Sequence, residues 1–201
     1  MEPKEKRMQV IGIYGVNASG KSTLSHMLAR DFLEYDIETT DNLFAVKRRL
    51  NQNNPILQYS SYSQWERLGE PTACNVWKGF QDYRESMRDY LHWILERARD
   101  QRVGMIIEGV HIIPEHFLSF ARDMDITLFL LHIDDLKKHK ERMLDKCCYR
   151  PGLLTRFEKY FDNIRQLQRS LLIEAQDSPI KIIETGVSLE SAITTMKSFL
   201  Q

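Results

Sequence analysis

Short apolar runs alternate with stretches of three- and four-residue apolar spacing along almost the whole chain. Runs at residues 9–14, 37–40, 103–107, 126–133 and 180–184 predict buried strands. Helical spacing appears at 23–33, where Leu24, Met27, Leu28 and Phe32 fall on one face, and again at 43–50, 136–146, 156–175 and 189–200. The longest periodic stretch is 72–101. There Ala73, Val76, Trp77, Phe80, Tyr83, Met87, Tyr90, Leu91, Ile94 and Ala98 recur every three or four residues, which predicts one long helix with an aromatic stripe against the core. Strands alternating with helices imply a parallel sheet wound by right-handed crossovers.

Composition bounds the picture. The 201 residues suit a single domain, 1–201, with a full hydrophobic core. Lys+Arg and Asp+Glu are 28 each, so no net field attracts bulk nucleic acid or an anionic membrane. No apolar stretch reaches the roughly 20 residues that span a bilayer, and the polar start, Met1 to Arg7, is followed by no apolar signal region. Cys74, Cys147 and Cys148 have no metal-site spacing and read as thiols in a reducing cytoplasm, the expected location.

The chemistry enters at residues 15–22, Gly-Val-Asn-Ala-Ser-Gly-Lys-Ser, which fit the phosphate-loop pattern G-x-x-x-x-G-K-[ST] between a predicted strand and a predicted helix. Gly15 and Gly20 let the backbone curl around an anion, and the helix behind them points its positive end at the same place. Gly15, Asn17, Ala18, Ser19, Gly20, Lys21, Ser22 and Thr23 are therefore the expected nucleotide-binding residues. Lys21 would reach the β- and γ-phosphates of ATP, and the Ser22 hydroxyl would ligate Mg²⁺. A phosphate loop after the first strand makes the expected architecture an α/β three-layer P-loop NTPase fold. It would have a five-stranded parallel sheet, helices on both faces and ligands at the carboxyl ends of the strands.

Three further groups bear on catalysis. The run Val103 to Glu108 reads as a buried strand ending in a carboxylate able to hold a Mg²⁺-bound water or orient an acceptor, so Glu108 joins Ser22 as an expected metal residue. Asp41, after the second strand, faces the same crevice as base or acceptor ligand, or else caps the helix at 43–50. Arg142, Arg150 and Arg156 punctuate a segment, about 141–156, with Tyr149, Pro151 and Gly152 as a turn between two helices. That segment is expected to be a lid whose arginines clamp the triphosphate and exclude water.

No Asn-Lys-x-Asp run is present to read guanine, and no LSGGQ-like run of transporter ATPases. A short chain with a strand-end carboxylate and an arginine lid looks like the nucleoside-monophosphate-kinase-like group. Within it the chain is similar to the archaeal-type 2-phosphoglycerate kinase family. The resemblance rests on Gly15 to Thr23, Thr39-Thr40-Asp41, Ser60-Ser61-Tyr62, Gly79-Phe80, the run Ile106 to Pro114 with its Glu108-Gly109-Val110-His111 centre, His139 to Arg142, and Arg156 to Arg165. It departs from the family in two respects: there is no room for the N-terminal extension members commonly carry, and the basic residues after Asp41 come late, at Lys47, Arg48 and Arg49.

The resemblance implies phosphoryl transfer from ATP, with Mg²⁺, to 2-phosphoglycerate. A phosphorylated, carboxylated acceptor suits the available cations Arg48, Arg49, Arg142, Arg150, Arg156 and Lys159. His111 is open between acceptor contact and a structural histidine donating to a backbone carbonyl, and Ser60, Ser61 and Tyr62 between acceptor hydroxyls and a helix start. The expected partner is a small anionic metabolite, with a homodimer as an assembly open to the chain. A nucleoside, nucleotide or sugar kinase and a nucleotide-binding regulator are the competing readings.

Overall fold

A computed structural model describes residues 8–147 and 151–200, with the side chain of Pro151 excepted. Its centre is a five-stranded sheet formed by β1 (Gln9–Gly15), β2 (Asp36–Thr39), β3 (Met105–Glu108), β4 (Asp125–His132) and β5 (Lys181–Glu184). All neighbouring pairs are parallel, in the order β2-β3-β1-β4-β5. The middle strands β1 and β3 are buried on both faces, as their unbroken apolar runs require, whereas β2 at the edge is partly exposed.

Helices cover both faces. On one, α1 (Lys21–Ala29) and α8 (Leu189–Ser198) close a core around Ile11, Ile13, Leu24, Leu28, Phe129 and Met196. On the other lie α3 (Ala73–Glu85), α4 (Arg88–Gln101) and α7 (Pro151–Ala175), around a larger core that includes Tyr14, Phe80, Met87, Leu91, Ile107, Phe117 and Ile164. The remaining helices are α2 (Thr40–Leu50), α5 (Pro114–Leu118) and α6 (Leu136–Cys147), and two short 3₁₀ helices span Pro55–Gln58 and Gln64–Arg67. The fold is that expected, an α/β sheet sandwiched between helices with a glycine loop after β1.

Two elements differ from the sequence pattern. The single helix expected over 72–101 is two, α3 and α4, broken at Ser86–Met87. The apolar spacing runs through the break because Met87 is fully buried, and the freed Ser86 carbonyl is taken by Lys47 Nζ from α2. Helix α7 begins at Pro151 instead of 156, a residue type favoured at the first turn. Arg156, expected at the start of this helix, therefore lies in its second turn, while Arg142 lies in α6 as the spacing at 136–146 predicts. Cys148, Tyr149 and Arg150, and with them the expected clamp by Arg150, lie outside the described residues.

Candidate nucleotide and acceptor site

The loop between β1 and α1 is shaped by Gly20, whose φ of 95° is left-handed and which leads directly into Lys21, the first residue of α1. Side chains hold three loop carbonyls. Lys21 Nζ donates to the Val16 carbonyl at 2.8 Å. His139 Nε2, from α6, lies 2.8 Å from the Asn17 carbonyl. Thr185 Oγ1, just after β5, donates to the Ser19 carbonyl at 2.9 Å. Carbonyls held in this way leave the amide edge of the loop and the start of α1 to an anion. His139 is itself fixed by Arg165, whose guanidinium stands 3.3 Å from Nδ1, and burial pulls its pKa down so that it serves as a neutral bridge.

Lys21 is buried, and desolvation lowers its pKa from 10.5 to about 8, with Glu108 and Asp41 opposing the shift and Lys146 adding to it. A buried cation lacking a full counter-charge is suited to a polyanion. Beside it Ser22 Oγ donates to Glu108 Oε1 at 3.0 Å. Glu108 ends β3, in register with Ile13 of β1 on one side and Thr39 of β2 on the other, and is buried. A hydroxyl and a carboxylate oxygen together form a hard-oxygen pair of the kind Mg²⁺ takes beside substrate phosphates, so these residues fit the ion. Among the described residues another group, His132, Asp134 and Glu184, also brings ligand atoms within 4.8 Å of one another. There Glu184 already accepts the amides of Asp134 and Val187.

Two crevices meet at Lys21 and Ser22. The first, about 490 Å³, is lined by Ala18, Gly20, Thr23, Arg142, Asp145 and Leu189 as well as Lys146. Arg142 reaches it from α6, held by Thr185 through both its hydroxyl and its carbonyl. The second, about 350 Å³, is bounded by Asn17, Asp41, Arg48, Ser60, Ser61, Tyr62, Tyr83 and Arg156, again with Lys146. Arg156 donates to Ser60 Oγ at 2.7 Å, and Arg48 donates to the carbonyls of Leu57 and Tyr59 while lying over the Phe44 ring. Arg142 thus borders the first crevice and Arg156 the second.

Asp41 is exposed at the mouth of the second crevice, in the first turn of α2. It is not the cap: Thr39 holds that position, without a side-chain capping bond. His111 departs from both sequence readings. It is fully buried, with Nδ1 at 2.7 Å from Thr40 Oγ1 instead of a backbone carbonyl, and its ring stacks against Phe44 and Tyr83. Burial lowers its pKa to about 4. Ser60, Ser61 and Tyr62 line the second crevice and also precede the 3₁₀ turn at Gln64–Arg67. Sequence reasoning missed Lys146, which borders both crevices. Its signal is its place one helical turn after Arg142.

A phosphate loop at the first strand of this sheet order, with a carboxylate ending the neighbouring strand, defines an α/β P-loop fold. Consistent with it, a gluconokinase from Sinorhizobium meliloti 1021 superposes with a TM-score of 0.52 at 14% identity, over 94% of this chain and 90% of that one. No protein-family model matches the chain. In sequence it is similar to the 2-phosphoglycerate kinase of Methanopyrus kandleri, 28% identical over 191 residues, which are 90% of this chain and 57% of that protein. The 2-phosphoglycerate kinase of Methanothermobacter thermautotrophicus is 27% identical over 206 residues, 98% of this chain and 65% of that protein. The chain thus spans about three fifths of the length of these curated relatives.

Proposed function

We propose that the protein transfers the γ-phosphoryl group of ATP to a hydroxyl of a small anionic metabolite, and that 2-phosphoglycerate, giving 2,3-bisphosphoglycerate, is the acceptor. The observation that carries this reading is the shared wall of Lys21, Ser22 and Lys146 between the two crevices. One crevice runs along the phosphate loop, and the other is ringed by Arg48, Arg156 and hydroxyl groups. The named relatives support the choice of acceptor.

In this reading the triphosphate lies along the loop amides and the start of α1, and Arg142 borders its crevice. The acceptor's anionic groups are met by Arg48 and Arg156, whose planar forks suit phosphate and carboxylate. Its hydroxyl oxygen attacks the γ-phosphorus, the bond to the bridging oxygen of ADP breaks, and Asp41 takes the hydroxyl proton. Lys21 stabilises the charge on the transferring group. Ser22 and Glu108 would hold Mg²⁺, which neutralises phosphate charge when bound.

Phosphorus NMR of the protein with ATP, Mg²⁺ and a panel of phosphorylated hydroxy acids, sugars and nucleosides tests the proposal. The expected result is ADP formed together with 2,3-bisphosphoglycerate in the 2-phosphoglycerate sample alone. Transfer to a sugar or nucleoside instead would overturn the acceptor. Absence of transfer to every member, with nucleotide still bound, would favour a nucleotide-binding regulator.

A further inference from the structure

The buried His111 has no part in the chemistry above, yet it lies behind the acceptor crevice with one ring nitrogen, Nε2, left without a hydrogen-bond partner. Its other nitrogen meets Thr40 Oγ1 at 2.7 Å. Thr40 is fully buried at the first residue of α2, directly before Asp41. Its hydroxyl also occupies the space that a Cβ on Gly109 would fill, and Gly109, at φ 147°, directly follows Glu108. One residue back, Thr39 pairs in register with Glu108 across β2 and β3. The two carboxylates assigned above to acceptor and metal are thus joined by a short rigid path, from Glu108 through Gly109 and Thr40 to Asp41, and His111 secures its middle.

We propose that Thr40 and His111 form a positioning pair that fixes Asp41 relative to Glu108 and so sets the fit of the acceptor hydroxyl, without touching either substrate. This inference rests on the kinase reading. Three features support a role beyond filling space. The hydrogen bond is buried between two side chains from different elements, where it is directional. The ring stacks against both Phe44 and Tyr83, which also touch each other and line the acceptor crevice, so its orientation is fixed by a cluster of three rings. Gly109 has no Cβ, which is what lets the Thr40 hydroxyl approach so closely.

The test compares Thr40→Val, which keeps the shape and removes the hydroxyl, with Thr40→Ser, which keeps the hydroxyl, and adds His111→Phe. Steady-state rates are measured against ATP and acceptor separately, with thermal melting of each variant. Expected for Thr40→Val and His111→Phe is a fall in kcat/KM for the acceptor of about 10-fold or more, since sub-ångström misplacement of reacting groups has effects of this order. KM for ATP should stay within about twofold, and Thr40→Ser should recover most of the loss. A Thr40→Val enzyme with wild-type acceptor kinetics would overturn the proposal. So would parallel loss for ATP and acceptor, or a Thr40→Ser variant no better than Thr40→Val. Should the wild type itself transfer no phosphoryl group, the kinase reading fails. The pair is then judged by ATP affinity in calorimetry: the proposal requires Thr40→Val to leave it unchanged, and weakened binding refutes it.

Discussion

Lys21 is held as a cation in a buried place, and its two roles conflict. Its pKa is 10.5 in the unfolded chain and about 8 in the folded protein, so the unfolded chain binds more protons between those values. Stability without ligand should therefore rise as pH climbs through that window, and the charge should cost stability at pH 7. Lys21→Met is expected to raise the melting temperature of the nucleotide-free protein at pH 7 while cutting transfer on the order of 100-fold or more. Melting scans and rates on the same preparation check both; wild-type transfer by the variant would refute the role given to Lys21. His111 titrates with the same sign in a lower range. Its folded pKa is about 4 against 6.5 unfolded, so stability should fall as pH drops from 6.5 towards 4, by up to about 1.4 kcal/mol per pH unit. Burial lowers His116 and His139 as well, which steepens the same slope. Urea unfolding at pH 7, 5.5 and 4.5 would show it, and a His111→Asn variant should have a shallower dependence than the wild type.

Between elements, Arg84 on α3 makes a two-pronged contact with Glu174 on α7, at 2.8 and 2.7 Å. Arg84 is buried, and its guanidinium also lies over the rings of Trp77 and Phe80. Helix α7 carries Arg156 to the second crevice, and this tie anchors the helix against α3. Removing one partner of such a pair leaves a poorly solvated charge. Arg84→Ala should thus lower unfolding stability by roughly 3 kcal/mol, and Arg84→Met with Glu174→Leu by clearly less. Equal losses in chemical denaturation would mean that the aromatic contacts, not the ion pair, carry the effect. Near the crevice, Tyr160 and Lys159 both donate to Glu66, tying α7 to the 3₁₀ turn after Ser60, Ser61 and Tyr62.

Across the whole molecule the sheet places two crevices on either side of one loop; Lys21 and Lys146 border both, whereas Arg142 lines one and Arg48 and Arg156 the other. Arg142→Ala should raise KM for ATP with little change for the acceptor. Arg156→Ala should do the reverse, each by about 10-fold for loss of a charge-assisted contact of roughly 1.4 kcal/mol. Initial rates over a grid of both substrates read the two constants separately. If both variants change the same constant, the crevices do not divide as described.

The phosphate loop, the five strands and most helices were legible in the sequence because each rests on local spacing: glycines where the backbone must curl, apolar runs where strands are buried, three- and four-residue spacing on helices. Lys21, Ser22 and Glu108 were legible for the same reason, since strand ends and loop positions follow from their own neighbours. What lay outside that reach depends on contacts between distant segments. The break between α3 and α4 is invisible to periodicity because Met87 is buried in either arrangement, and it is marked by Lys47 from another helix. That Arg142 and Arg156 line different crevices goes with their contacts to Thr185 and Ser60, 43 and 96 residues away. His111 could not be assigned from its neighbours because its partners, Thr40, Phe44 and Tyr83, come from α2 and α3. Local spacing sets which residues form each strand and helix; which charge faces which crevice is fixed only when those elements pack.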